Sequence, residues 1–421
     1  MKIAIIGGGS TYTPELMEGL INRASALGLS EVVLMDIDRE RLDVVGAFAA
    51  RMIEHAGNPF KLTSTSDRKS SIEGASFVLT QIRVGGQKAR HEDEKLGLRH
   101  NLIGQETTGI GGMAKALRTI PVIMDICADI EKYAPGAWVI NFTNPSGIIT
   151  QTILCHTRCK CIGLCNVPIE LKMNVAKFLG VPEKEILLDV VGLNHLGWVR
   201  KFIVKGEDIT GRIISFLVSA EGPKNIPDIE INPDLVKSLN AVPLWYNRYY
   251  YDTESMLKQL KAKDKTRAQE VMEIEAELLA KYKNPSLTTK PPELEKRGGA
   301  YYSKIAVDIL DCIVNDLNEE NVINLLNQGA IPDLPDNVVV ETVAHVGKNG
   351  AKPQPTQKLE PSIRALIQQA KAYEELTIEA ALTKSRSAAY RAIITNPLGP
   401  LAEHATEVLN DLLATNKLDY K

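Results

Sequence analysis

Three residues able to do chemistry stand at the ends of short apolar runs near the middle of the chain. Asn144 lies in Asn141-Phe-Thr-Asn-Pro-Ser-Gly147 after Trp138-Val-Ile140, Cys165 follows Cys161-Ile-Gly-Leu164, and His195 ends Gly192-Leu-Asn-His195 after Val190-Val191. Apolar runs of this length, closed by Gly, Pro and Asn, read as buried strands ending in loops. In an open α/β sheet, ligands collect beyond the carboxyl ends of the strands. The three loops are therefore expected to meet in one pocket, although thirty positions separate Cys165 from His195. A thiolate and an imidazole form part of a ligand set for a divalent transition metal. The same pair also reads as a small buried thiol and a hydrogen-bonded core histidine. The residues alone leave both readings open.

A second group opens the chain. Lys2-Ile-Ala-Ile-Ile6 is an apolar strand running into Gly7, Gly8, Gly9 and Ser10, and residues 14–23 have helical character. Strand, glycine turn and helix form the phosphate-binding start of a dinucleotide fold, where backbone N–H groups meet the pyrophosphate. G-x-G is present, but Tyr12 replaces the third glycine of G-x-G-x-x-G. Glu31-Val-Val-Leu-Met-Asp36 supplies a second strand and its acid, twenty-seven residues beyond Gly9. An acid there accepts from ribose hydroxyls and repels an extra phosphate, which favours NAD over NADP. Arg39 and Arg41 are expected to face solvent. A glycine-rich turn without a ligand is the alternative.

These groups need a scaffold. At 421 residues the chain exceeds what one core usually covers, and two domains are expected, 1–168 and 169–421. The first shows a β/α rhythm: strands at 77–81, 138–141 and 161–164, and helices at 43–56 and 120–133, which implies a largely parallel sheet. Long polar loops are expected at Arg83–Glu94, which holds Arg90, and at Gly104–Gly112, which holds Glu106. The second part reads as mixed α+β, with strands around the His195 turn, helical stretches between residues 249 and 283, a strand at 338–346 and a helix at 362–383. Pro243–Tyr251 is an aromatic cluster in a chain only 5% aromatic. Arg297-Gly-Gly-Ala-Tyr-Tyr-Ser303 opens a helix, as an anion site or as a flexible N-terminus.

Composition excludes other classes. The chain is 44% hydrophobic and 24% charged, with 49 Lys and Arg against 52 Asp and Glu for a net charge of −3. Nothing in that balance favours nucleic acid or an anionic membrane. No run approaches a membrane span. A strand begins directly after Met1, which leaves no room for a signal peptide, and a cytoplasmic location is expected. Four of the six cysteines, Cys155, Cys159, Cys161 and Cys165, are spaced C-x3-C-x-C-x3-C, unlike zinc or iron–sulfur patterns. Reduced thiols are expected, with at most Cys165 functional.

The motifs taken together resemble glycoside hydrolase family 4, and within it the NAD- and manganese-dependent 6-phospho-β-glucosidases. The resemblance runs nearly end to end, through Gly7–Glu15, Gly104–Gly109, Asn141–Gly147, Cys165–Pro168, Gly192–His195 and Lys296–Ser303. It implies a Rossmann-type N-terminal domain like that of malate and lactate dehydrogenases, a C-terminal α+β substrate domain, and an active site between them. It also implies Mn²⁺ on Cys165 and His195, substrate contacts at Arg90, Asn144 and Asn166, and NAD on Gly7, Gly8, Gly9, Ser10 and Asp36. Tyr246 matches the catalytic base, and Glu106 the acid that accepts from it and raises its basicity. The implied reaction is oxidation at C3 by NAD, removal of the C2 proton by Tyr246, elimination from C1, water addition and re-reduction. Substrates would be cellobiose 6′-phosphate or aryl β-glucoside 6-phosphates, and the assembly a homodimer or homotetramer. Family members acting on α-glycosides often place an aspartate after the metal cysteine as leaving-group acid. Here that position is Asn166, which argues against an α-glycosidase and leaves the acid unassigned. An α-galacturonidase of the same family, a plain NAD-dependent hydroxy-acid dehydrogenase and an NAD-binding regulatory module are the other readings.

Overall fold

The computed structural model describes residues 1–217, 232–298 and 301–421. Six strands run in parallel: β1 (Lys2–Ile6), β2 (Glu31–Met35), β3 (Lys61–Thr65), β4 (Phe77–Thr80), β5 (Trp138–Asn141) and β6 (Lys160–Gly163), in the spatial order 3-2-1-4-5-6. This is the order of a dinucleotide-binding doubly wound sheet. Both faces of every strand but the edge strand β3 are covered, which explains the unbroken apolar runs of the other five. Ala4 and Ile6 of β1 enter one core with the helix Gly109–Tyr133, while Ile3 and Ile5 enter the other with the helices Thr13–Leu27 and Tyr302–Asn315.

A second antiparallel sheet is built from β7 (Ile186–Leu193), β8 (Leu196–Val204), β9 (Glu207–Asp208) and β10 (Val242–Pro243). The chain then returns to the first sheet. Strands β11 (Glu319–Leu326), β12 (Val339–Gly347) and β13 (Gly350–Pro353) add to it beyond β6, all antiparallel, to make nine strands. Residues on both sides of position 168 therefore share one sheet. Strand β12 also carries the second sheet: Thr342 Oγ1 donates to the Val190 carbonyl at 2.8 Å. Among the described residues, no helix is long and apolar enough to cross a membrane.

Two expectations are corrected. Residues 83–94 are not a long loop, because Gly86–Arg99 is a helix. Its inner face is polar, with Gln87, Asp93 and Glu94 buried, and each has a partner: Glu275 for Gln87, Arg118 for Asp93 and Arg90 for Glu94. Apolar periodicity was therefore a blind guide there. Arg41 does not face solvent: its Nε donates to the Gly9 carbonyl at 3.3 Å and its Nη1 pairs with Glu275 at 3.1 Å. The helix carrying it starts at Arg39, capped by the Asp38 carboxylate, and this turns Arg41 toward the glycine turn.

Candidate active site

A cavity of about 1850 Å³ runs along the carboxyl ends of the parallel strands. Gly7, Gly9, Ser10 and Asp36 line one end, and Arg90, Glu106, Asn144, Asn166, His195 and Tyr246 the other. Gly8 lies beneath the turn, and Cys165 sits just behind the wall, 2% exposed.

At the glycine end the backbone leaves no room for side chains. Gly7 has φ +95°, and a Cβ there would fall 2.8 Å from the Gln81 carbonyl oxygen. Asp36 Oδ2 accepts from the Gly9 amide at 2.8 Å and Oδ1 from the Asp38 amide at 3.0 Å, which fixes the carboxylate at the mouth of the turn. Tyr12, at the missing third glycine, is buried under the helix Tyr302–Asn315, and its hydroxyl accepts from the Ser303 amide at 3.3 Å. The turn, its acid and the following helix fit a dinucleotide.

At the other end, β7 and β8 are joined by the two-residue turn Asn194-His195, with His195 at φ +65°. A Cβ at Gly192 would lie 2.3 Å from the Leu196 carbonyl oxygen, so the tight hairpin requires glycine. His195 stacks flat on Tyr246, ring centres 3.8 Å apart at 7°. Its Nδ1 meets Thr107 Oγ1 at 2.9 Å, leaving Nε2 as the free nitrogen. Burial, reinforced by Lys115, pushes the imidazole down to about 3, so it stays neutral. Burial, reinforced by the nearby Glu341 carboxyl, pushes the Cys165 thiol well above the usual value. Metal binding to such a thiol would displace its proton. Cys165 and His195 thus offer a soft and a borderline donor to a divalent transition metal. No group of three or more His, Cys, Asp or Glu side chains suited to a metal occurs among the described residues. Two protein donors fit an ion whose other positions go to water and substrate oxygens. Asn144 Oδ1 is buried without a partner among the described residues, an acceptor left for a bound hydroxyl.

Glu106 is not hydrogen-bonded to Tyr246, contrary to expectation. Lys115 Nζ donates to it at 2.7 Å, Arg90 Nε lies at 3.2 Å, and Arg83 forms a further close pair. Burial opposes its ionisation, yet Arg83, Lys115 and Arg90 together hold the carboxyl well below the usual range. Tyr246 is raised above the ordinary phenol value by burial first, then by Tyr249, Cys165 and Glu106, with Arg90 opposing. Arg90 also pairs with Glu94 at 2.8 Å, and its terminal nitrogens make no hydrogen bond among the described residues. Asn166 is the residue before the helix Val167–Leu179 and makes no side-chain capping bond. Sequence reasoning gave no role to Arg83, Lys115 and Thr107. Lys115 was the most legible of them, as the one charge within residues 110–117 of the helix Gly109–Tyr133.

Residues 2–181 match the model for the family 4 glycosyl hydrolases, and residues 190–399 the model for their C-terminal domain. The chain belongs to family 4 of the glycosyl hydrolases. It is 43% identical over 426 residues to a probable 6-phospho-β-glucosidase of Bacillus subtilis strain 168, covering 99% of this chain and 96% of that one. It superposes on a 6-phospho-β-glucosidase of Thermotoga maritima, solved with manganese, NAD⁺ and glucose 6-phosphate, with TM-score 0.92 and 34% identity, covering all of both chains. A malate dehydrogenase of Plasmodium falciparum, at 12% identity and TM-score 0.56 over 91% of this chain and 98% of that one, shares the fold alone. The α/β class with a dehydrogenase-like first sheet, expected from the sequence, is the fold observed.

Proposed function

We propose that this family 4 enzyme is a 6-phospho-β-glucosidase that uses NAD and Mn²⁺. The observation that carries the reading is the flat stack of His195 on Tyr246, with Cys165 behind it, in a cavity whose far end is the glycine turn. Hydrolysis by two carboxylates needs one of them protonated as general acid. Glu106, held ionised by three cations, cannot serve.

Cys165 and His195 would hold Mn²⁺, which would supply Lewis acidity, and the glycine turn with Asp36 would hold NAD, which would supply reversible redox chemistry at C3. The chain's own residues do the rest. Arg90 directs its free guanidinium nitrogens at the sugar phosphate, and Asn144 and Asn166 orient the sugar hydroxyls. With C3 at the ketone level the C2 hydrogen is acidic, and the Tyr246 oxygen removes it. The C1–O bond then breaks, the departing oxygen takes a proton from water, the remaining hydroxide adds at C1, and Tyr246 returns its proton to C2. Glu106 acts on Tyr246 through space, and it draws Arg83, Arg90 and Lys115 into one buried cluster.

The test is a panel of p-nitrophenyl α- and β-glucosides with and without the 6-phosphate. Release of nitrophenol is expected only from the β-anomer carrying phosphate, only with NAD and Mn²⁺ present, and not with NADH in place of NAD. Equal turnover without either addition by stripped protein would overturn the reading. Free NADH accumulating with turnover would point to a dehydrogenase instead. Arg90→Ala is expected to lower kcat/KM for the phosphorylated substrate by about 1.5–3 kcal/mol, the worth of a hydrogen bond to a charged group. NAD affinity should be nearly unchanged, and an unaltered kcat/KM would remove Arg90 from the substrate site.

A further inference from the structure

Arg297 comes from late in the sequence, at the end of the short turn Pro292–Arg297, yet its side chain lies on the glycine turn. Its Nε donates to Thr11 Oγ1 at 2.6 Å, and its Nη2 lies 3.4 Å from Ser10 Oγ and 3.1 Å from Glu275 Oε1. The guanidinium carbon stands 5.8 Å from the centre of the Tyr12 ring. Nη1 has no hydrogen-bond partner among the described residues, and the side chain lines the cavity.

Glu275 holds this arginine in place. It is buried on the helix Arg267–Tyr282 and accepts from Gln87 at 3.1 Å, Thr11 at 3.3 Å and Arg41 at 3.1 Å as well as from Arg297. Two guanidinium groups share one carboxylate, and the other acid at the turn, Asp36, is held by the Gly9 and Asp38 amides rather than by Arg297. A carboxylate satisfied by four donors is a fixed strut, and a planar guanidinium fixed at one edge presents its other edge in a set direction.

We infer that Arg297 is a ligand of the dinucleotide's pyrophosphate, aimed by Glu275, and that the second half of the chain thereby closes the cofactor site. The inference rests on the NAD reading above. The pyrophosphate carries two negative charges and sits at the glycine turn in folds of this class. Backbone N–H groups there supply dipoles, and Arg297 supplies the formal charge. A charge-assisted contact of this kind is about twice as strong as a neutral one.

The experiment is calorimetry on full-length wild type, Arg297→Met and Arg297→Lys, titrated with NAD, ADP-ribose and glucose 6-phosphate, with adenosine followed by competition. Arg297→Met keeps the stem and loses the charge. It should bind NAD and ADP-ribose about ten- to a hundredfold more weakly, as expected for one lost charged hydrogen bond. Adenosine and glucose 6-phosphate, which lack the pyrophosphate, should bind as before. Arg297→Lys should fall between the two, and it carries the test if the Met variant does not fold. Unchanged NAD affinity with weakened glucose 6-phosphate would assign the arginine to the sugar phosphate and overturn the inference. Equal weakening of all four ligands would mark a purely structural role and overturn it too. If wild type itself did not bind NAD, the cofactor reading would fall first.

Discussion

Tyr246→Phe is expected to lower kcat by about two to four powers of ten, the range for loss of a general base. The substitution removes one oxygen and keeps the ring, so the stack on His195 and the fold should survive. NAD and Mn²⁺ should still bind, which separates a lost base from a collapsed site. A second readout identifies the proton. If Tyr246 takes hydrogen from C2, wild-type turnover in D₂O should place deuterium at C2 of the glucose 6-phosphate product, and the variant should lose that exchange. Cleavage that follows deprotonation does not need an oxocarbenium ion, so thioglycosides should be cut at useful rates as well. Only hydrogen at C2 after turnover in D₂O would rule against exchange. Wild-type rates in Tyr246→Phe would remove the tyrosine from the role.

The base had to be recognised by resemblance, because nothing local marks it: Tyr246 is one ring among several between Trp245 and Tyr251. The strands were different. Both faces of β1, β2 and β4–β6 are covered, so their sequences are nearly all apolar, and their ends carry the glycine turn, Asn144 and Cys165. Strand β3 was not expected because Lys61–Thr65 lies at the sheet edge with a largely polar, exposed surface. Strands β11–β13 had no signal for their destination, since pairing partners are set by topology rather than by composition. That return has a chemical consequence, because β12 brings Glu341 behind Cys165 and fixes Asn194, the neighbour of His195, at 3.1 Å. The helix Gly86–Arg99 was hidden by its charged inner face, and Arg41 by a cap that starts its helix four residues before the apolar pattern does. For that helix and for Arg41, the hidden partner was Glu275, distant in sequence from both.

Glu106→Gln addresses another buried polar group. The side chain keeps its shape, but Arg83, Arg90 and Lys115 lose the carboxylate between them, and Glu94 remains as counter-charge for Arg90 alone. Breaking a buried ion pair from one side costs about 3–5 kcal/mol, because the remaining charge is desolvated without compensation. Lower stability is therefore expected in denaturant unfolding, with a pH dependence that follows from Lys115. Burial first, and then Arg83, already depress its ammonium to about 8, while Glu106 opposes that shift. Without Glu106 the folded-state value falls further below the unfolded value of about 10.4. A base so depressed binds fewer protons folded than unfolded, so stability rises with pH between the two values. The deficit of Glu106→Gln should thus be largest between the free carboxyl value of about 4.3 and the variant's lowered Lys115 value. It should shrink as pH rises from that value to about 8, where only the variant's Lys115 has shed its proton, and shrink again in acid, where wild type must keep Glu106 ionised. Glu106 also raises Tyr246, so its removal should move the acidic limb of the pH–rate profile, on which the base loses its proton, to lower pH. A variant as stable as wild type at pH 6, with an unshifted profile, would show that solvent rather than Glu106 compensates the three cations.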